Sequence, residues 1–159
     1  MLALLVFARG MDFLSTWAAS PRLKLEANPL AKFLGWKWGI VLNVALAPLL
    51  ARWPLAAVIV CTTSVLVAAR NFQSAWLMRV MGEDGYRHWM CERMSEGSRT
   101  LFVVFVFAQT LLVALVGVAL VWFSRDPLTF GIGVGIIGYA LAVAFYTLLS
   151  VWRLRRGSR

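Results

Sequence analysis

"TLFVVFVFAQTLLVALVGVALVWF", Thr100 to Phe123, contains no charged side chain, and neither does "PLTFGIGVGIIGYALAVAFYTLLSVW", Pro127 to Trp152, which follows after only "SRD". Each is longer than the roughly 20 residues a helix needs to cross the hydrocarbon of a bilayer. Lipid offers the backbone no hydrogen-bond partners, so a spanning segment of this kind closes its own bonds as a helix. These two runs set the fold class as an all-α, polytopic membrane helical bundle.

Three weaker apolar blocks precede them. Leu2 to Ala19 is interrupted by Arg9 and Asp12, Trp38 to Ala51 contains Asn43 and Pro48, and Pro54 to Ala69 begins after "RW". The last two are short for independent spans. The join from Ala51 to Pro54 makes a tight helical hairpin, extended by interfacial Trp36, Trp38 and Trp53. Pro48 is the expected site of a kink. The sum is five transmembrane helices in a single integral membrane domain over 1-159, with a re-entrant pair over 38-69 as the competing count.

Charge placement agrees with five. One side collects Arg22, Lys24, Lys32, Lys37, Arg70, Arg79, Arg87, Arg93, Arg99, Arg153, Arg155, Arg156 and Arg159; the loops of the other side hold only Arg52 and Arg125. The positive-inside rule then places the N-terminus outside and the C-terminus inside, as a multi-pass protein of the bacterial cytoplasmic (inner) membrane. The net charge of +9 reads as topology, with attraction to membrane lipids as a consequence. The basic residues border spans and form no nucleic-acid-binding module, so no nucleic-acid partner is expected.

Hydrophobic residues make up 61% of the chain, above the roughly 45–50% of soluble domains. The first block lacks the basic start of a signal peptide and carries Asp12 within it, which favours a retained helix. Cys61 falls in a span and Cys91 beside the membrane, with no CxxC or zinc spacing, so neither a disulfide nor a metal site is expected. Serine-elbow, Walker A, dinucleotide and histidine-rich motifs are absent from the sequence. Nothing here names a cofactor.

The connections have their own signals. In "LEANPLAKFLGWKWG", Asn28 is placed to N-cap a helix that starts at Pro29. Residues 71-99 read as a cytoplasmic interfacial connection of one or two amphipathic helices, broken near "GEDG", Gly82 to Gly85, with Phe72, Ala75, Trp76, Arg79 and Val80 at helical spacing. In the last span Gly131 and Gly135 form GxxxG, which lets a helix approach closely, within the chain or in a homo-oligomer.

Polar residues inside apolar runs are the candidates for function. Arg9, Asp12 and Thr16 share one helical face. At 1.5 Å per residue Asp12 lies about 12 Å from the helix end at Ser20, near mid-bilayer. A charge there needs pairing, protonation or a polar cavity, so Arg9 with Asp12 is a structural ion pair or part of a site. Asp12, Thr16, Glu26, Asn28 and Asn43 form the candidate substrate-binding set, with Thr62, Thr63, Ser64, Gln109, Thr110 and Tyr139 as further wall residues. His88, the sole histidine, is a candidate base or an interfacial residue.

The arrangement Asp12, Ser15, Thr16, then Glu26-x-Asn28-Pro29 resembles a family of small multi-helix bacterial membrane proteins. That resemblance covers the first third of the chain and implies a polytopic membrane fold without a particular reaction. The functional expectation is a small membrane transporter or channel-like component for a cation or small polar solute. The alternatives are a non-catalytic accessory subunit of a larger membrane complex and a lipid-modifying enzyme.

Overall fold

The computed structural model describes residues 1–157; Arg159, counted above among the basic tail residues, lies outside them. The chain forms α1 (Leu2–Ala19), α2 (Pro29–Leu50), α3 (Pro54–Glu96), α4 (Arg99–Phe123) and α5 (Pro127–Gly157), and no strand occurs among the described residues. All five helices are long and apolar enough to cross a membrane. Their packing is a row: α1 lies along α3, α3 along α5 and α5 along α4, while α2 rests lightly on α1 and α3.

Local chemistry sets the helix ends. Asn28 accepts the Leu30 N–H through Oδ1 at 3.0 Å with Pro29 as first helical residue, as the sequence leads one to expect. Ser98 does the same for Leu101 at the start of α4. Asp126 Oδ1 accepts the N–H groups of Leu128 and Thr129, both at 2.9 Å, to open α5. These caps satisfy backbone donors that a helix start otherwise leaves bare.

Two glycines bend the helices, and Pro48 does not. Gly35 (φ 63°) breaks α2 just inside its first turns and Gly82 (φ 70°) breaks α3, both in the left-handed region where a side chain is strained. Pro48 sits in the last turn of α2 with helical dihedrals around it, so the expected kink lies instead at Gly35. Past Ala69, where the apolar block ends, α3 continues unbroken to Met81 and rises roughly 42 Å from Pro54, about the full thickness of a bilayer with its headgroup layers.

Side-chain pairings give the directions. Arg9 meets Ser64 and Ser15 meets Asn71, so α1 and α3 run parallel. Arg9 also meets Asn43 while Phe13 meets Gly39 and Trp36, so α2 runs antiparallel to α1. Gly131 faces Leu55 and Val58 and Gly135 faces Ile59 and Thr62, which makes α5 parallel to α3. The turns at 51–53 and 124–126 therefore share one end of the row, and the Ser20 to Asn28 connection lies at the other.

Glycine sets the spacing around α5. A Cβ at Gly135 would stand 2.7 Å from Thr62 Cβ and 2.9 Å from the Ile59 carbonyl; on the opposite side, a Cβ at Gly133 would stand 2.8 Å from the Gly117 carbonyl. Lipid tails are as apolar as leucine, so helices in a bilayer associate through such close packing and not through hydrophobic exclusion. The GxxxG pair Gly131 and Gly135 is thus spent within the chain, against α3.

Candidate functional site: a polar seam between three helices

The α1–α3 interface changes character along its length. Near the N-terminus it is apolar and closed: Leu5, Ala8, Ala57 and Cys61 are buried together, with Leu50, Ala51 and Val60 packed around them. From Arg9 onward it is polar.

Arg9 is the hub. Its Nε donates to Asn43 Oδ1 at 2.6 Å, and its Nη1 donates to Asp12 Oδ2 at 2.7 Å and to Ser64 Oγ at 3.0 Å. One guanidinium therefore ties α1, α2 and α3 together at mid-depth, which its fork of five donors makes geometrically natural. The Phe13 ring lies 5.8 Å from its central carbon. Asn43 holds its own amide in place by donating Nδ2 to the Gly39 carbonyl at 2.8 Å.

Further along, Asn71 Nδ2 reaches Thr16 Oγ1 at 3.1 Å and Ser15 Oγ at 3.3 Å, and Ser15 is fully buried. Asn71 thus belongs to the helix interface and extends the seam one turn and more beyond Ser64. Ser20 is buried at the end of α1, where its Oγ accepts the Leu25 N–H at 3.1 Å. Leu23 takes φ 55° and turns its side chain into the protein. That strained turn doubles the chain back after Pro21, and Trp36 fastens it by donating Nε1 to the Pro21 carbonyl at 2.8 Å.

The doubling back brings Glu26 into electrostatic reach of Asp12. Glu26 is itself part of a tight local turn: its Oε1 accepts the Asn28 N–H at 2.7 Å. Burial pushes its carboxyl above the ordinary glutamate range, against the lowering effect of the Asn28 and Ala27 N–H groups and of Lys32. Arg9 occupies one oxygen of Asp12, and no hydrogen-bond donor among the described residues is directed at the other.

Of the residues singled out in the sequence, Arg9, Asp12, Thr16, Asn43 and Ser64 meet in this seam, while Glu26 and Asn28 lie in the connection that follows α1 and bond locally. The structure adds Asn71, bonded to Thr16 and to Ser15 of the same arrangement. The remaining wall candidates fall elsewhere. Thr62 packs against Gly135, and Thr63 donates to the carbonyl of Ile59 at 2.9 Å or of Gly135 at 3.0 Å, both on the α5 side. Gln109 and Thr110 sit on α4, which touches α5 and barely meets α3; the Thr110 hydroxyl bonds its own helix. Tyr139 is buried on α5, and His88 is exposed beyond the Gly82 bend. Cys61 and Cys91 are both free thiols, and no cluster of metal-ligating side chains occurs among the described residues.

Comparison with protein-family models, curated proteins and solved structures finds no match to this chain. The functional reading therefore rests on the seam itself.

Proposed function

We propose that this protein is a small membrane component that admits a cation or small polar solute into the seam, with Asp12 and Glu26 supplying negative charge and Thr16, Asn71 and Asn43 neutral ligands. The observation that carries the reading is an intramembrane carboxylate, Asp12, with one oxygen left over from its ion pair and no hydrogen-bond donor among the described residues directed at it. Intramembrane carboxylates are costly, and they recur where ions bind or protons are relayed. Because the interface is closed by apolar packing at Leu5 and Ala8 and by the buried Ser15, Ala19 and Ser20 toward its other end, the seam does not by itself cross the membrane. A complete route across the membrane then requires a second copy or a partner subunit, which makes this chain a component and not a self-sufficient transporter. The thirteen-to-two distribution of basic residues flanking the apolar blocks of the sequence supports turning the Ser20 to Asn28 end of the row toward the cytoplasm of a bacterial inner membrane.

The structure sharpens the test. Asp12→Asn leaves Arg9 its bonds to Asn43 and Ser64, so the variant is expected to fold. In reconstituted vesicles, Asp12→Asn and Glu26→Gln should each lower binding or flux of Na⁺, K⁺ or Mg²⁺, or of a small polar solute, by about tenfold, the scale of one charge-assisted contact. Folded Asp12→Asn protein with every flux and affinity unchanged ends the proposal. Labelling in intact cells of a cysteine placed at Ser124, with Cys91 reacting only after permeabilisation, is the result expected of the orientation; the reverse pattern overturns it.

A further inference from the structure

Beyond the seam, at the end of the row that holds the Ser20 to Asn28 connection, α1 and the bend of α3 enclose a cleft of about 480 Å³ lined by Ala19, Pro21, Arg22, Met78, Arg79 and Met81 with the Gly82 to Gly85 turn. Its wall carries both signs of charge. Arg79 stacks 4.9 Å from the Trp17 ring and donates one N–H to the Trp17 carbonyl at 3.5 Å, leaving most of its donors for another partner. Glu83 accepts the Arg22 backbone N–H through Oε1 at 2.7 Å, while its Oε2 is buried with no hydrogen-bond partner. Asp84 is already taken, by Lys24 at 2.8 Å.

A buried carboxylate oxygen without a donor is expensive, and the Glu83 side chain that carries it lines the cleft together with Arg22 and Arg79. We propose that the cleft binds a zwitterionic phospholipid headgroup bearing a primary ammonium, lipid-linked phosphoethanolamine, with the phosphate on Arg22 and Arg79 and the ammonium on Glu83. The site lies where α1 ends and α3 bends after spanning roughly a bilayer's thickness, which is the depth of a headgroup. Met78, Met81 and Pro21 give its apolar side to the adjoining glycerol and acyl chain. A choline headgroup carries no N–H to offer Glu83, and a glycerol headgroup offers it only neutral hydroxyls, without the cation that pairs with a carboxylate.

Native mass spectrometry of the full chain in detergent, titrated with phosphatidylethanolamine, phosphatidylcholine and phosphatidylglycerol of one acyl composition, tests this. Phosphatidylethanolamine should be retained about tenfold better than either of the others, the scale of one charge-assisted hydrogen bond. Glu83→Gln keeps the shape of the side chain and should reduce phosphatidylethanolamine to the level of phosphatidylcholine; Arg79→Gln should weaken all three. Equal or stronger retention of phosphatidylglycerol, or an undiminished preference in Glu83→Gln, overturns the proposal. Soluble phosphoethanolamine competing as well as the lipid assigns the cleft to a free phosphate ester and overturns the lipid assignment. Should Glu83→Gln fail to fold, the selectivity of the wild-type chain among the three lipids decides.

Discussion

Helix α3 is held on two sides by opposite means. Toward α5 the contact is steric: Gly131 and Gly135 remove side chains until backbone meets Ile59 and Thr62, and Thr63 spends its hydroxyl on a carbonyl of its own helix or of α5. Toward α1 the contact is polar: Arg9 and the Ser15, Thr16 and Asn71 group reach across with side-chain hydrogen bonds. Both hold helices together, but only the second leaves hydrogen-bonding capacity over. The α5 face is fully absorbed by packing. The α1 face retains an oxygen of Asp12, and this surplus is what the proposed binding role rests on.

The largest effect is expected on the steric side. Gly135→Val adds atoms where even a Cβ would lie 2.7 Å from Thr62 and 2.9 Å from the Ile59 backbone, so α3 and α5 must part. Overpacking of this kind costs about 3 kcal/mol or more when backbone cannot yield; folded yield and unfolding midpoint in detergent should collapse. A variant with wild-type stability would show that the glycine face is not what holds α5.

A smaller loss is expected from Arg9→Gln. It breaks up to three hydrogen bonds and leaves Asp12 without its cation, at about 2 kcal/mol given the modest strength of such bonds in membranes. Asp12→Asn, which removes one of the three, should cost less than half as much, and Arg9→Gln/Asp12→Asn should recover part of the yield lost in Arg9→Gln alone. Equal losses in the two single variants would mean that Arg9 serves only its ion pair, and the contrast between a hub and a simple salt bridge would disappear.

The smallest effect concerns pH. The folded-state pKa of Glu26 is raised by burial, so between its ordinary value, about 4.3, and the folded value the native state binds more protons than the unfolded. The stability tied to Glu26 is then fully present below about 4.3 and is lost as pH rises through the folded pKa. Thermal midpoints measured across that window should show Glu26→Gln gaining on wild type as pH increases. Asp84 and Asp126, held low by Lys24 and by the α5 cap respectively, act in the opposite sense, so the difference between variant and wild type is the quantity to follow. A difference independent of pH would place Glu26 in open solvent and detach it from the seam.

Much of this organisation is legible in local sequence because it arises from local chemistry. The five apolar segments, the Asn28 cap, the break within "GEDG" and the Arg9 to Asp12 pairing depend on neighbours three or four residues away at most. The pairing of α3 with α1 and with α5 is set by partners more than fifty residues distant. That Ser64 faces Arg9 while Thr62 and Thr63 turn to α5 follows from the rotation of α3, and three consecutive hydroxyl residues carry no signal to distinguish them. Asn71 was masked for a related reason, since it follows Arg70 at the apparent end of an apolar block yet remains in the interface. Gln109 and Thr110 read as seam candidates by residue type alone, and the row arrangement puts α4 out of their reach of it. Gly35, a residue with no polar group to attract notice, bends α2 where Pro48 gave the stronger hint.

The parallel course of α1, α3 and α5 has an electrostatic result. Each helix carries a partial negative charge at its carbonyl end and a partial positive charge at its amide end. Three of the five therefore stack their dipoles in one sense, with carbonyl ends directed to the face where Arg22, Lys24 and Arg79 gather and amide ends to the face of the short 51–53 and 124–126 turns. Asp126, capping α5, adds its charge to one of those amide ends. The same arginines and lysines that bias how the chain sits across a membrane thus also lie against the negative poles of its helices, so insertion and the folded row draw on one distribution of charge.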